Sequence, residues 1–198
     1  LELWLALGAM ILFYNLYGLV FFLVTSVQPP PDPAWELPRV VQWFDDNHWG
    51  LPIGFGLIFI VVFLTAACNA LIAYSMRRMS VSPAFAYSYF IIYSFSAIPG
   101  MLLTCIALVV GAMRPDRDPE LLHWLYDLAF MAFDGTMGVF LVGTSIWMVA
   151  ILIDRNRVFP KWFAYLNLCN AMTEVVVAPA WLFHEGVFAW DGEVAWWL

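Results

Sequence analysis

Charged residues are what this chain has least of: they make up 12% of its 198 residues, against about a quarter in an ordinary soluble domain. Cations are the scarcer sign, with 8 Lys and Arg against 15 Asp and Glu, for a formal charge of -7. That balance argues against a nucleic-acid partner, because binding phosphates needs a basic surface. Cysteine is equally sparse. Cys68, Cys105 and Cys169 each fall inside an apolar stretch with no CxxC spacing, so each reads as a small buried hydrophobe rather than part of a disulfide or zinc framework. Also missing are a nucleophile elbow, a phosphate-binding glycine loop and the histidine-rich motifs of membrane di-iron hydroxylases and desaturases. No internal repeat or low-complexity segment is present.

What fills the chain instead is apolar: 64% of residues are hydrophobic and the mean hydropathy is +0.82. The apolar residues come in runs of roughly 20 or more, the length needed to cross ~30 Å of hydrocarbon. The expected fold is therefore all-α, a single polytopic transmembrane helical bundle of five complete helices plus the start of a sixth. The five runs cover about 3–27, 51–76, 83–113, 119–153 and 160–183. The first is too long for a signal-peptide core and lacks a basic leading region, so it counts as a helix. The sixth would begin at Ala195-Trp196-Trp197-Leu198.

Local signals divide the runs. Pro29-Pro30-Pro31 and Pro33 close the first. Ser82-Pro83 and Asp118-Pro119 are caps followed by proline at the first helical position. Pro99-Gly100 predicts a kink in the third run. Residues 37–46 carry apolar positions at 37, 40, 41 and 44 followed by acids, the pattern of a short interfacial helix.

Loop charges give an orientation. The loops after the second and fourth runs hold Arg77, Arg78, Arg155, Arg157 and Lys161, whereas Arg39, Arg114 and Arg117 on the opposite side are outnumbered by acids. The expected location is the cytoplasmic (inner) membrane, with the N-terminus and the Arg-rich loops cytoplasmic and the acidic loops outside. Trp35, Trp43, Trp49, Trp124 and Trp190 would then form an outer aromatic belt.

Acids inside a span are costly and point to function. Asp127 and Asp134 lie seven apart on one face of the fourth run, and Glu174 lies in the fifth with Asn167 and Asn170 on its stripe. A short loop makes these runs antiparallel neighbours, which places Asp134 and Glu174 within roughly 6 Å of the same depth. No Lys or Arg lies in the spans to neutralise them, so both cannot stay ionised. They are the candidate catalytic or acid–base pair, and the alternative is that both are hydrogen-bonded structural acids. Asp127, Asn167, Asn170, Tyr89 and Tyr93 are candidate ligand-binding residues. A second pattern is His48, His123 and His184, all on the outer side. With Glu120 and Asp127 at i, i+3, i+7 spacing around His123, they form a candidate metal set. Transmembrane haem pairs would want histidines at two depths.

Phe159-Pro160-Lys161-Trp162-Phe163-Ala164-Tyr165-Leu166-Asn167-Leu168 and Gly186-Val187-Phe188-Ala189-Trp190-Asp191-Gly192 resemble a pattern, FPxWxxYLN … GxFAWxG, in a family of multi-pass membrane proteins of actinobacteria and proteobacteria. Residues 114–120 with Asp127 are similar to that family's third loop and fourth helix. The resemblance covers roughly the second half of the chain and implies a sixth hydrophobic helix after the tryptophan-rich segment. It implies no activity and no cofactor.

The expected function is an interior polar pocket between the fourth and fifth helices that binds a hydrophobic small molecule, such as a sterol, quinone or lipid. Acid–base chemistry such as isomerisation is an extension of that reading. One alternative is an accessory subunit of a larger membrane complex, an oxidoreductase or a pigment- or lipid-holding assembly. Another is an outer-facing metal or haem protein. The expected partners are membrane lipids, a hydrophobic small molecule and other membrane subunits.

Overall fold

Prolines and short polar caps cut the chain into helices, and apolar faces fold them together. The computed structural model describes residues 2–25, 27, 29–114, 116–134 and 137–197, with the backbone alone at 2, 3, 6, 96–99, 134, 137 and 197. The described residues contain helices and turns and no strand. In order they are α1 (Glu2–Leu23), α2 (Leu37–Asp46), α3 (Gly50–Val61), α4 (Leu64–Met76) and α5 (Pro83–Ile92). A π turn (Tyr93–Ala97) leads into α6 (Ile98–Ala112), followed by α7 (Pro119–Asp134), α8 (Met137–Ile153), α9 (Lys161–Val177), a 3₁₀ turn (Ala178–Trp181) and α10 (Glu193–Trp197).

Among the described residues three lengths are long and apolar enough to cross a membrane: Gly50–Met76, Pro83–Ala112 and Pro119–Ile153. The apolar stretch of α1, Leu7–Leu23, is shorter. Caps explain two of the starts. The Ser82 hydroxyl accepts from the Ala84 N–H at 3.3 Å, and the Asp118 carboxylate accepts from the Glu120 N–H at 2.8 Å, each ahead of a proline that has no N–H to lose.

Two runs depart from regular α geometry beside their prolines. The third run carries a π turn that ends just before Ile98, next to the expected kink at Pro99-Gly100, where Pro99 has no N–H for the carbonyl four residues back. The fifth run does not stay α-helical to Phe183. It ends at Val177 and tightens into 3₁₀ geometry around Pro179 for the same reason.

The helices pack as successive antiparallel hairpins. α4 lies on α5 and α3 on α6, then α5 on α8 and α6 on α7, and finally α8 on α9. α1 runs back along α3 and α4. Each end of the bundle has its own core. At the end bearing the acidic loops, Phe44, Leu51, Phe55, Leu108, Leu122 and Tyr126 form one buried cluster. At the end bearing the arginine loops, Met76, Met79, Ala86, Ala150, Ile151 and Ala164 form another.

α2 lies across the acidic end, with Val40, Trp43 and Phe44 buried where it packs on α6 and α7. Its apolar face is thus covered by protein. The expected tryptophan belt divides accordingly. Trp43 and Trp190 are buried, Trp35 is half-buried and stacked on Tyr126, and only Trp49 and Trp124 of that set stand exposed.

One aspartate ties the arginine loops together. Asp154 is buried, and its carboxylate accepts from the Ser80 N–H at 2.7 Å, the Ser80 hydroxyl at 3.0 Å, the Asn156 N–H at 3.0 Å and the Val158 N–H at 2.9 Å. Burial pushes this carboxyl upward, but the N–H and O–H donors outweigh it and hold the group below the usual aspartate range. The Asn156 amide donates to the Arg78 carbonyl at 3.0 Å. The Lys161 ammonium closes the last turn of α8 by donating to the Ile151 and Leu152 carbonyls, as a cation at a helix C-terminus should.

Candidate functional site

Between the two packed ends lies a cavity of about 570 Å³. Its wall comes from α1 and α4–α9: Tyr14 and Tyr17 from α1, Asn69 from α4, Tyr89 from α5, Tyr93 at the π turn, Met101 from α6, Phe133 from α7, Thr144 and Trp147 from α8, and Asn167 and Asn170 from α9. Four of the expected ligand-binding residues, Tyr89, Tyr93, Asn167 and Asn170, therefore meet at one space. Spacing accounts for the first two: residues four apart share a helix face, and the rings of Tyr89 and Tyr93 sit 4.6 Å apart by centroid. Trp147 packs against Tyr89 at 5.3 Å and Phe163 at 4.8 Å, so the aromatic wall is continuous from α5 through α8 to α9.

The polar groups on this wall are mostly unspent. Asn167 donates to the Phe163 carbonyl at 2.8 Å, and the Thr144 hydroxyl returns to the Phe140 carbonyl at 2.5 Å. By contrast, among the described residues no hydrogen bond is made by the Tyr89 and Tyr93 hydroxyls or the Asn69 amide, and none of those residues partners the buried Trp147 N–H. Buried polar groups normally find partners. A row of free donors and acceptors beside a cavity suits a ligand that carries the complementary groups.

The acids are placed differently. Glu174 is half-buried and lies within electrostatic range of the Tyr93 phenol, but it is not part of the cavity lining. The Asp134 side chain lies outside the described residues, and so does its expected pairing with Glu174. Asp127 is also apart from the cavity, within electrostatic range of His123 and His184 at the acidic end.

The candidate metal residues are partly brought together. α7 packs against the 3₁₀ turn that leads to His184, which accounts for the approach of His184 to Asp127. Glu120 is exposed. His48 is engaged locally, with Nδ1 donating to the Asp45 carbonyl at 2.6 Å. Among the described residues no three His, Cys, Asp or Glu side chains form a group able to hold a metal ion. Cys68 and Cys105 are buried and Cys169 is exposed, all as free thiols.

Sequence reasoning missed Trp147 and the phenols of α1 as parts of the site. Asn69 was not among the expected ligand-binding residues. The available signal was polarity inside an apolar run: Asn69 and Asn167 each interrupt one, and a buried amide there needs a reason.

The segment after the 3₁₀ turn folds over the acidic end. Trp190 is buried, stacked on Phe130 at 5.5 Å, and its N–H donates to the Pro31 carbonyl at 2.8 Å. Two glycines make this turn possible. Gly186 holds φ at 84°, a conformation that L side chains rarely adopt. At Gly192 a side chain would strike the carbonyl oxygens of Gly186 and Val187. Comparison of the chain with protein-family models, with curated proteins and with solved structures finds no match.

Proposed function

We propose that this chain is a five-span membrane protein that binds a hydrophobic small molecule, such as a sterol, a quinone or a lipid, in the cavity between its helices. The observation that carries this reading is the cavity itself. Its volume falls within the range of ligand pockets, and its wall is aromatic and apolar with a few convergent polar groups.

The outer surface supports the membrane part. Ile60 on α3, Phe63 in the link to α4, Phe95 in the π turn, and Leu166 and Val175 on α9 all stand more than half exposed, an amount of apolar surface that water would not tolerate. α1 and α9 complete five spans, each with its apolar side outward. The arginine loops then lie on the cytoplasmic side of the inner membrane by the excess of positive charge, and membrane lipids surround the bundle. The similarity of residues 159–168 and 186–192 to the bacterial multi-pass family fits this arrangement, because the first segment adjoins the cavity and the second caps the acidic end. Glu174, outside the lining but within electrostatic range of the Tyr93 phenol, supplies one ionisable group behind the cavity wall. Any acid–base step on the ligand would begin there, with Asp134 as its expected partner.

The test is native mass spectrometry of protein extracted with its surrounding lipid, comparing wild type with Thr65→Trp, which puts an indole into the cavity. The expected result is a bound organic molecule on the wild type that is lost from a variant with an unchanged helical spectrum. Retention of the same molecule by the folded variant would place it outside the cavity. A wild type that carries nothing and co-purifies with other subunits would make the chain an accessory subunit instead.

A further inference from the structure

The cavity is not uniform along its length, and the helix register shows how. Asn69 lies seven residues before the end of α4, Tyr89 six after the start of α5, Trp147 six before the end of α8 and Asn167 six after the start of α9. All four helix ends meet at the arginine loops, where Ser80, Asp154 and Asn156 hold them together. At 1.5 Å per residue these four polar side chains share one level, about 9–10 Å in from that end. Tyr93, Thr144 and Asn170 follow roughly one turn deeper.

Farther from the arginine loops the wall changes character. Val62, Phe140 and Met101, all lining residues, lie about 20–27 Å from the same end by the same count. Tyr17 is at this far side too, with its ring stacked on Phe21 at 5.5 Å. The cavity thus carries a polar band on the arginine side, with Ile72, Phe163 and Leu166 between that band and the loops, and is largely apolar on the far side apart from the Tyr17 phenol.

The second observation is the absence of charge: no Lys, Arg, His, Asp or Glu is among the described lining residues, so an ammonium would find no counter-charge in the wall. A phosphate or carboxylate placed there would be desolvated without a counter-charge. Phenols, amides and an indole N–H offer neutral donors and acceptors instead.

Resting on the reading of this space as a ligand pocket, we infer that its ligand is an uncharged amphiphile. Its hydroxyl or carbonyl head sits among Asn69, Tyr89, Tyr93 and Asn167, toward the arginine loops. Its hydrocarbon body runs toward Met101 and Val62.

Three probes that share one chain separate the possibilities: farnesol, farnesyl diphosphate and farnesylamine, titrated into the purified protein in nanodiscs. Farnesol should bind at least about tenfold more tightly than either charged probe. Asn69→Leu and Tyr93→Phe should each weaken it about tenfold by removing one hydrogen-bonding group. A head-group diazirine should label peptides containing Asn69 or Asn167, and a tail diazirine those containing Val62 or Met101. Preference for the diphosphate or the amine would overturn the uncharged head and leave the pocket standing. Reversed labelling would overturn the orientation alone. If none of the three binds, the pocket reading itself fails with it.

Discussion

The two ends of this bundle are closed by opposite means. At the arginine loops the closure is polar and economical: one carboxylate gathers two loops through N–H and O–H donors, and one ammonium caps a helix. At the acidic loops the closure is aromatic and broad. Trp43, Tyr126, Phe130 and Trp190 pack edge to face and face to face, with two hydrogen bonds pinning the leading loop: Tyr126 to the Asp32 carbonyl and Trp190 to the Pro31 carbonyl. The polar end concentrates its stability in one side chain, whereas the aromatic end spreads it over many. That difference makes the first sensitive to pH and the second sensitive to volume.

The largest expected effect is at the aromatic end. Trp190→Ala removes a buried indole and its hydrogen bond, and should cost about 3–5 kcal/mol in detergent unfolding experiments. The loss should be nearly the same at pH 4.5 and pH 7.5. A strongly pH-dependent loss would break the contrast between the ends.

Next is Asp154→Ala, which leaves three N–H groups at the arginine loops without their acceptor. The expected cost is on the order of 2 kcal/mol. Because the folded carboxyl lies below the usual aspartate range, its stabilisation is fully present above that range. It disappears as pH falls through the folded value. Wild type and variant should therefore converge only in strong acid. Convergence near neutrality would show that the carboxylate does not hold the loops.

The smallest effect is at Asp191. Burial, then the nearby charge of Asp32, push this carboxyl upward, so its charged form is disfavoured in the folded state. Asp191→Asn should raise the melting temperature slightly at pH 7. The gain should fade as pH drops through the raised folded value toward the ordinary aspartate range, where the wild-type carboxyl is neutral in both states. A loss of stability at pH 7 would mean that the charge serves the acidic end.

Much of the fold could be read from residue order, because apolar runs broken by proline carry their own boundaries. Ser82-Pro83 and Asp118-Pro119 are examples in which a cap and a missing N–H act locally. The π turn could not be read in the same way. Pro99 predicts a disturbance, but whether it becomes a kink or a wider turn depends on what packs on both sides. The candidate site was legible where side chains share a helix, as with Tyr89 and Tyr93 or Asn167 and Asn170. It was illegible where contact crosses between helices, as with Trp147 against Tyr89 or Ser80 against Asp154, because rotation about each helix axis is set by tertiary packing. The role of Asp154 was hidden for the same reason, since nothing in its sequence neighbours shows that Ser80 lies against it.

The π turn at Tyr93–Ala97 has a consequence for how the third helix can vary. A wide turn holds one residue more than an α turn, so everything after it is phase-shifted by about 100° around the helix axis. The α5 half meets α4 and α8, while the α6 half meets α3 and α7. Removing a single residue from this turn would close it and rotate one half against the other, turning Tyr93 away from the cavity or Cys105 and Leu108 out of their core. The turn works as a splice between two independently aimed half-helices, and chain length there matters more than which side chains fill it.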